Sequence, residues 1–255
     1  MPARFAVLDH PLPLAIAHRG GALEAEENTL GAFAHAAALG YHFVETDVQA
    51  TRDGVGVIFH DDTLDRICGR PGRIADMTWA EVAALRTRGG AALPRLDAML
   101  DAFPAMRFVL EAKSDAAVPA MSEAIARTRT IDRVCVGAFK AARTRALRAA
   151  LGRRLAWSPA HAGVARVWLA GWGLPLRQPD CAALQVPERF RGLPVVTARL
   201  VRAAHAGGVQ VHVWTVNDTA GIHRLLDLGV DGLMTDRPTL LRETLQARGL
   251  WTGDA

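Results

Sequence analysis

Short apolar runs rich in β-branched residues recur along this chain, and their recurrence constrains the fold more than any other feature. Alanine- and leucine-rich segments with helical spacing, such as 30–39 and 141–151, separate most of these runs. Alternating strand and helix signals predict βαβ units and a parallel sheet. Eight units of about 30 residues would use most of the chain, which predicts an α/β fold, the TIM (β/α)8 barrel. The eight runs are 14–18, 43–48, 107–112, 133–139, 154–158, 182–186, 209–216 and 232–235.

The stretch between the second and third predicted barrel strands is unusually long. Residues 61–95 exceed an ordinary connection between elements. We expect a small insertion there, after the hairpin that follows the second strand. No linker or internal repeat divides the chain, so residues 1–255 are predicted to form a single barrel domain.

Three helix starts can be predicted from capping residues. Asn28 is expected to cap a helix that ends near Gly40. Thr78 and Glu81 have the spacing of a capping box. Residues 217–219 offer further capping side chains for a helix late in the chain.

Composition and charge exclude several classes of protein. Half of the residues are apolar and the formal net charge is +4, which is typical of a soluble globular protein. The apolar stretch 167–176 is too short for a membrane span, which needs about 20 residues, and the run 5–8 is too short for a signal peptide. We therefore expect a cytoplasmic protein without a transmembrane segment. The three cysteines form no CxxC pair and are expected to be reduced.

The segment 127–154 is strongly basic. It is expected to be a solvated helix face, and a patch that attracts anionic head groups or substrates is the alternative. Aromatic residues do not interleave with its arginines, so no nucleic-acid partner is predicted. Trp157, Trp168 and Trp172 lie near arginines in the sequence, which leaves a weak contact with a membrane surface open.

Candidate chemistry begins directly after the first strand, at His18 and Arg19. Arg19 offers a planar set of donors suited to phosphate, and a histidine exchanges protons near neutral pH. The alternative is a pair that only packs in a loop. In an α/β barrel the carboxyl ends of the strands form the catalytic face, which favours a functional role.

Carboxylates follow on the next two barrel strands. Strand alternation places Glu45 and Asp47 on one face, and Glu111 and Lys113 on one face of their strand. Salt bridges to buried arginines, or a surface ion pair, would be the structural alternatives. Three carboxylates at one strand edge instead suit a hard divalent cation such as Mg²⁺ or Ca²⁺. Lys113 would supply a point charge for an oxyanion.

A hairpin signal brings a second histidine to these carboxylates. Asp53 and Gly54 predict a tight two-residue turn between strand-like runs. In that register Asp47 faces His60, with the two side chains on one side of the hairpin. Further along, Trp214 ends another strand and is either a core residue or a wall of the substrate pocket.

Two histidines beside a divalent cation, with arginine and lysine nearby, suit phosphoryl transfer. The cation and the basic side chains would stabilise charge that develops on the phosphoryl oxygens. One histidine would remove a proton from the nucleophile while the other protonates the leaving alkoxide. A phosphodiester is the natural substrate, because its alcohol leaving group needs a general acid.

The order and spacing of these motifs resemble the glycerophosphodiester phosphodiesterase family, over nearly the whole chain. Each motif is short, but together they are specific. They are His18-Arg19-Gly20, Glu27-Asn28-Thr29, Glu45-x-Asp47-Val48, Thr51-x-Asp53-Gly54, His60-Asp61, Glu111-x-Lys113, Trp214-Thr215-Val216-Asn217, Gly229-Val230-Asp231-Gly232 and Thr235-Asp236-Arg237-Pro238.

The resemblance implies a TIM barrel that hydrolyses glycerophosphodiesters to glycerol 3-phosphate and an alcohol such as choline or ethanolamine. It implies His18 and His60 as the acid–base pair, and an insertion at 61–95; within the pair we assign His18 as the base and His60 as the acid. The nucleophile is either water or the substrate's own 2-hydroxyl. Metal ligands (Mg²⁺ or Ca²⁺) and phosphate-binding residues are also implied: Glu45, Asp47 and Glu111 for the metal, Arg19 and Lys113 for the phosphate.

Two other functions remain open from the sequence. A related barrel enzyme could act on lysophospholipids as a phospholipase D-like lyase that leaves a cyclic phosphate. A non-catalytic binder of phosphate esters is the second alternative. A degenerate binder would be expected to have lost a histidine or a carboxylate, whereas this chain keeps the full set: His18, Glu45, Asp47, His60 and Glu111.

Overall fold

A computed structural model describes residues 4–254; residues 1–3 and 255, at the ends of the predicted domain, lie outside this part. Within it, no helix is both long and apolar enough to span a bilayer. The strands are β1 (Leu14–His18), β2 (Phe43–Ala50), β3 (Gly56–Ile58), β4 (Arg107–Ala112), β5 (Val134–Gly137), β6 (Ala156–Trp157), β7 (Ala183–Pro187), β8 (Arg189–Phe190), β9 (Leu193–Pro194), β10 (Gln210–Trp214) and β11 (Gly232–Thr235).

Helices separate most of the strands. They are α1 (Leu30–Ala38), α2 (Asp65–Cys68), α3 (Trp79–Ala83), α4 (Leu96–Ala102), α5 (Ala117–Thr128), α6 (Ala141–Leu151), α7 (His161–Ala170), α8 (Ala198–Ala206), α9 (Thr219–Asp227) and α10 (Pro238–Ala247). Three short 3-10 helices, Ala6–Leu8, Ile74–Asp76 and Ile131–Arg133, complete the elements.

Eight parallel strands form one sheet that nearly closes on itself. Its order is β6-β5-β4-β2-β1-β11-β10-β7, and β3 pairs antiparallel with β2. Between the two ends of this order, the amide of Ala182 donates to the carbonyl of Trp157 at 2.9 Å. The amide of Gln185 donates to Oγ of Ser158 at 3.2 Å. The predicted TIM barrel is confirmed, and each predicted run overlaps one barrel strand.

The side chains of β2 alternate between two packed layers. Phe43 lies in one hydrophobic cluster with residues of other barrel strands, whereas Val44 and Val48 pack in the larger cluster that includes the helices. Since successive residues of a strand point to opposite faces, Glu45 and Asp47 share the face of Phe43. All residues of the strand are buried, so this face carries two carboxylates into the barrel.

The segment 61–95 has a small apolar cluster of its own. Its helix α3 begins with the predicted capping box, in which Oγ1 of Thr78 accepts from the amide of Glu81 and the amide of Thr78 donates to Oε2 of Glu81 at 2.7 Å. The cluster also takes in two residues that precede the segment. Its buried members are Val57, Phe59, Leu64, Ile74, Val82, Leu85 and Leu93.

Of the other two predicted helix caps, one is wrong and one is confirmed. Thr29, not Asn28, caps α1, because its side chain accepts from the amide of Ala32. Asn28 is wrong as the cap: its φ is 58° and its side chain is bonded to β2 instead. At α9 the side chain of Asp218 accepts from the amide of Gly221 at 2.7 Å, as the capping residues there predict.

The hairpin between β2 and β3 has a loop one residue longer than predicted. Every observed pair of facing residues is shifted by one position from the predicted register. Gly54 has a φ of 83°, as in a three-residue loop that ends in a left-handed residue. The predicted pairing of Asp47 with His60 is therefore wrong. The carbonyl of Asp47 instead accepts from the amide of Phe59 at 3.0 Å, and the ladder ends before His60.

His212 of β10 gives the fold a pH-dependent stability. The residue is fully buried; Oε1 of Gln210 accepts from Nε2, and Nδ1 has no partner among the described residues. Burial lowers the pKa of His212 to about 4, from 6.5 when exposed. Between pH 6.5 and pH 4 the imidazole of His212 is therefore protonated in the unfolded chain but neutral in the folded chain. Its contribution to the free energy of unfolding is fully present above pH 6.5 and is lost as the pH falls towards 4.

Because of this histidine, we expect the free energy of unfolding to be about 2 kcal/mol lower at pH 5 than at pH 7. Urea titrations at the two pH values measure it. In a His212→Gln variant, which retains a polar side chain, the pH dependence should be shallower by that amount. An equal pH dependence in the two proteins would contradict a neutral buried histidine.

Candidate active site

Three carboxylates meet where the barrel strands end. Glu45 and Asp47 of β2 and Glu111 of β4 each offer an oxygen within 4.8 Å of the others. The register places Asp47 beside Glu111 and Glu45 beside His18 on neighbouring strands. Glu45 and Asp47 are buried, and Glu111 is partly exposed. Parallel strands that end on one face thus produce the cluster that the sequence predicts.

Arg19 and Lys113 bring positive charge to this cluster. Nε of Arg19 lies 3.3 Å from Oδ2 of Asp47, and Nζ of Lys113 lies 3.5 Å from Oδ1 of Asp47 and 3.2 Å from Oε1 of Glu111. Asn28 donates from Nδ2 to Oδ2 of Asp47 at 3.0 Å. Nε of Arg19 is nevertheless buried without a hydrogen-bond partner in residues 4–254. The guanidinium is thus ion-paired with Asp47 but keeps hydrogen-bonding capacity, which suits an anionic ligand.

A carboxylate holds His18 in place. Nδ1 of His18 lies 2.6 Å from Oδ1 of Asp236, and because a carboxylate only accepts, this nitrogen carries the proton. Asp236 in turn accepts from Nδ2 of Asn217 at 2.8 Å. Nε2 of His18 therefore points to the cluster, 3.6 Å from Oε2 of Glu45. His18 is thus oriented and keeps one nitrogen for chemistry.

His60 has the same kind of support from the insertion. Its Nδ1 lies 2.7 Å from Oδ1 of Asp61, and Arg66 of α2 donates to both oxygens of Asp61 at 2.7 and 2.8 Å. Arg66 also donates to Glu27, which accepts from Nη1 of Arg19 at 3.0 Å. One chain of hydrogen bonds therefore fixes both His60 and Arg19.

The pKa values of these groups reflect the crowding of negative charge. Burial, with the charge of Asp47 added to it, raises the pKa of Glu45 well above its usual range. Burial also raises the pKa of Glu111, although the ammonium of Lys113 opposes the rise. Burial alone would lower the pKa of His18, but Glu45 and Asp236 outweigh it and raise that pKa. Bound positive charge would relieve this repulsion.

The carboxylate cluster fits a hard divalent cation. Oε2 of Glu45 is buried and has no hydrogen-bond partner in the described part of the chain. An unpaired buried carboxylate oxygen is costly unless a cation meets it. The donors are oxygens alone, with no thiolate among them, which suits Mg²⁺ or Ca²⁺ rather than a soft metal.

All eight predicted site residues line a single cavity of about 510 Å³. This volume is typical of a pocket for a small molecule. Trp214, at the end of β10, forms part of the wall. His161 also lines the cavity, although no pattern in the sequence distinguishes it from a surface histidine.

The sequence alone indicates no role for the carboxylates that hold the two histidines. Asp61 follows His60 directly, so adjacency was an available signal. Asp236 lies 218 positions from His18, and only the pairing of β1 with β11 brings them together. Asn28 was predicted as a helix cap, yet it bonds to Asp47 and Thr46 of β2.

Comparison with known proteins finds one family. The model of the glycerophosphoryl diester phosphodiesterase family matches residues 18–240. A Mycobacterium tuberculosis protein named "Probable glycerophosphodiester phosphodiesterase 2" is 40% identical over 256 aligned positions, which cover 96% of each chain. A glycerophosphodiester phosphodiesterase of Caldanaerobacter subterraneus is 29% identical and covers 92% of this chain and 99% of its own.

Solved structures agree with these sequence matches. A Silicibacter pomeroyi protein assigned to the same family superposes with a TM-score of 0.82 at 27% identity, covering 96% of this chain and 99% of its own. An Oleispira antarctica phosphodiesterase, solved with the product sn-glycerol-3-phosphate, superposes with a TM-score of 0.77 at 26% identity, covering 92% and 97%. The likeness extends over the whole barrel.

Proposed function

The chain belongs to the glycerophosphoryl diester phosphodiesterase family, and from this premise we propose that it is a metal-dependent hydrolase of glycerophosphodiesters. Water and the diester would yield sn-glycerol 3-phosphate and the head-group alcohol. One observation carries the proposal: two histidines, each held by a carboxylate, flank a three-carboxylate cluster in one cavity. The Oleispira phosphodiesterase, solved with sn-glycerol-3-phosphate, supports this product.

We infer that Glu45, Asp47 and Glu111 hold Mg²⁺ or Ca²⁺. The unpaired oxygen of Glu45 and the clustering of the three groups support this role. A bound divalent cation would supply Lewis-acid stabilisation of a phosphoryl oxygen. The side chains of Asn28, Arg19 and Lys113 orient the carboxylate of Asp47, so its oxygens are already fixed before a metal binds.

His18 is proposed as the general base and His60 as the general acid. Asp236 fixes the proton of His18 on Nδ1, which leaves Nε2 to accept a proton from water or from the substrate's 2-hydroxyl. Asp61 holds His60 in the same way. The side chain of His60 is 32% exposed and that of His18 only 16%. The more exposed histidine is better placed to protonate an alcohol that departs towards solvent.

Arg19 and Lys113 are proposed to bind the phosphate, and Trp214 to form the wall beside it. Arg19 lines the cavity and its Nε makes no hydrogen bond among the described residues, which supports its part, and Lys113 lies at the edge of the cluster, in reach of an anion. Both cations would stabilise the charge that develops on the phosphoryl oxygens. We further propose that the chain works as one barrel domain, with the insertion 61–95 fixing His60 through Arg66.

The test uses purified protein treated with a chelator and then dialysed. Glycerophosphocholine and glycerophosphoethanolamine are offered with and without added Mg²⁺ or Ca²⁺, and glycerol 3-phosphate is measured enzymatically. We expect release of this product only when metal is restored. Full activity in the chelated protein would contradict metal dependence, and no product from either diester with either metal would contradict the substrate class.

A further inference from the structure

A second cavity lies at the end of the barrel opposite to the active site. Its volume is about 350 Å³, and among residues 4–254 none lines both cavities. Several of its residues directly precede the barrel strands β5, β6 and β7. The amino ends of parallel strands lie together on the face away from the catalytic one. We call this cavity the arginine pocket. Its charged members are Arg4, Asp132, Arg148, Arg153, Arg154 and Asp180.

The guanidinium of Arg148 is held in place with an unused donor. Its central carbon lies 4.4 Å from the centre of the Trp157 ring, and Nε1 of that tryptophan donates to the carbonyl of Asp180 at 2.7 Å. A guanidinium that rests on an aromatic face keeps its N–H groups for a ligand in its own plane. Nε of Arg148 is buried without a hydrogen-bond partner in the described part of the chain. A buried donor of this kind is costly unless a ligand accepts from it.

The arginine pocket carries more positive than negative charge. Each of its two aspartates is paired with one arginine: Asp180 with Arg4, and Asp132 with Arg154. The other two arginines have no carboxylate partner among the described residues, so two positive charges of the pocket are not neutralised. Such an excess repels a metal ion and attracts an anion.

The two unpaired arginines, Arg148 and Arg153, identify the kind of anion. A guanidinium presents its N–H groups as a planar fork that matches the oxygens of a phosphate. A phosphomonoester has a charge of about −1.5 to −2 at pH 7, which balances the excess of the pocket. None of the large apolar side chains exposed in the described part of the chain lines the pocket. A soluble ligand therefore fits it better than a lipid surface, which also needs apolar contacts.

We infer that the arginine pocket is a second phosphate-binding site, which takes the phosphate dianion of a small soluble molecule. Arg148 and Arg153 donate to the phosphate oxygens. Two sources share this chemistry, inorganic phosphate and the phosphate group of an ester, and the volume of the cavity leaves room for the organic part of a small ester. No covalent step is involved, so the inference does not depend on the proposed function.

The indole N–H signals of two tryptophans report the two ends of the barrel separately. Trp157 lies against Arg148, whereas Trp214 lines the active-site cavity. We would record ¹H–¹⁵N spectra of the metal-free protein while inorganic phosphate or glycerol 3-phosphate is added above pH 7, with sodium chloride keeping the ionic strength constant. Trp157→Phe assigns the signal. We expect it to shift and saturate with at least one of the two ligands, and the ligand that binds more tightly identifies the source.

Variants of Arg153 test the site without disturbing the reporter. Arg153→Gln should weaken binding at the Trp157 signal by at least about tenfold, since one hydrogen bond to a charged group is worth that much or more. Arg153→Glu, which reverses the charge, should abolish it. Arg145→Gln, an exposed arginine of α6 outside the pocket, should bind like the wild type.

Three results would overturn the inference. They are a Trp157 signal that moves with neither ligand, a shift that sodium chloride alone reproduces, and an affinity unchanged in both Arg153 variants. A shift at Trp214 alone would place all bound phosphate in the active site and is equally contradictory. A saturable Trp157 shift in a protein that hydrolyses no diester would contradict the proposed function and support this second site.

Discussion

His18→Ala and His60→Ala are each expected to lower kcat on glycerophosphocholine by about 10²–10⁴-fold, the usual contribution of a positioned acid or base. Each variant loses the nitrogen that is proposed to move a proton, while the residues of the carboxylate cluster are unchanged. KM should change little, because Arg19 and Lys113, the residues proposed to bind the phosphate, are unchanged. Steady-state release of glycerol 3-phosphate, at saturating metal, measures the effect.

The chain offers a matched control for this experiment. His205 also pairs with an aspartate, its Nε2 lying 2.8 Å from Oδ2 of Asp231, but it is outside the cavity. His205→Ala should therefore retain the wild-type kcat. If His18→Ala and His60→Ala also matched the wild-type rate on every diester tried, the acid–base assignment would be wrong.

Removal of Asp236 refines the same prediction. Asp236 contacts the proposed base His18, and if it acts through that histidine, Asp236→Asn should lower kcat in the wild-type background and add little in the His18→Ala background. Independent, multiplying effects in the double variant would show instead that Asp236 serves the fold or the substrate by another route.

The barrel and the position of the carboxylates could be predicted because both depend on local patterns. Apolar runs identify the strands, and alternation within a strand decides which side chains share a face. Since parallel barrel strands end together, Glu45, Asp47 and Glu111 had to meet once the barrel was predicted. The prediction that His60 lies near the carboxylates was correct for a different reason. Its predicted pairing with Asp47 was wrong by one residue, and His60 lines the cavity from the chain that follows β3.

Contacts that depend on tertiary geometry, or on elements too short to show a pattern, could not be predicted in this way. Asp236 meets His18 only because β11 pairs with β1, and nothing local in either sequence indicates it. The β8–β9 hairpin has two residues in each strand, too few for a period-two pattern. Asn28 resembles a helix cap in the sequence, but a left-handed backbone turns its side chain to Asp47. In each case tertiary geometry decides the role.

Replacement of Glu45 is expected to remove the proposed metal site while leaving the fold intact. Glu45 is buried, its Oε2 has no hydrogen-bond partner among the described residues, and burial beside Asp47 raises its pKa. Glutamine has nearly the same shape without the charge. Metal-free Glu45→Gln should therefore melt at or above the temperature of the metal-free wild type, because one of three repelling carboxylates is gone.

The response to metal should then separate the two proteins. A ligand at about 100 times its Kd adds about 2.7 kcal/mol to stability, which raises Tm by roughly 5–10 °C for a chain of this length. We expect that rise in the wild type and in Glu123→Gln, an exposed glutamate of α5, and none in Glu45→Gln. Activity of Glu45→Gln should fall by at least about 10²-fold, as expected when a metal that stabilises the transition state is lost. A Glu45→Gln protein that kept the metal-induced shift in Tm would place the cation elsewhere.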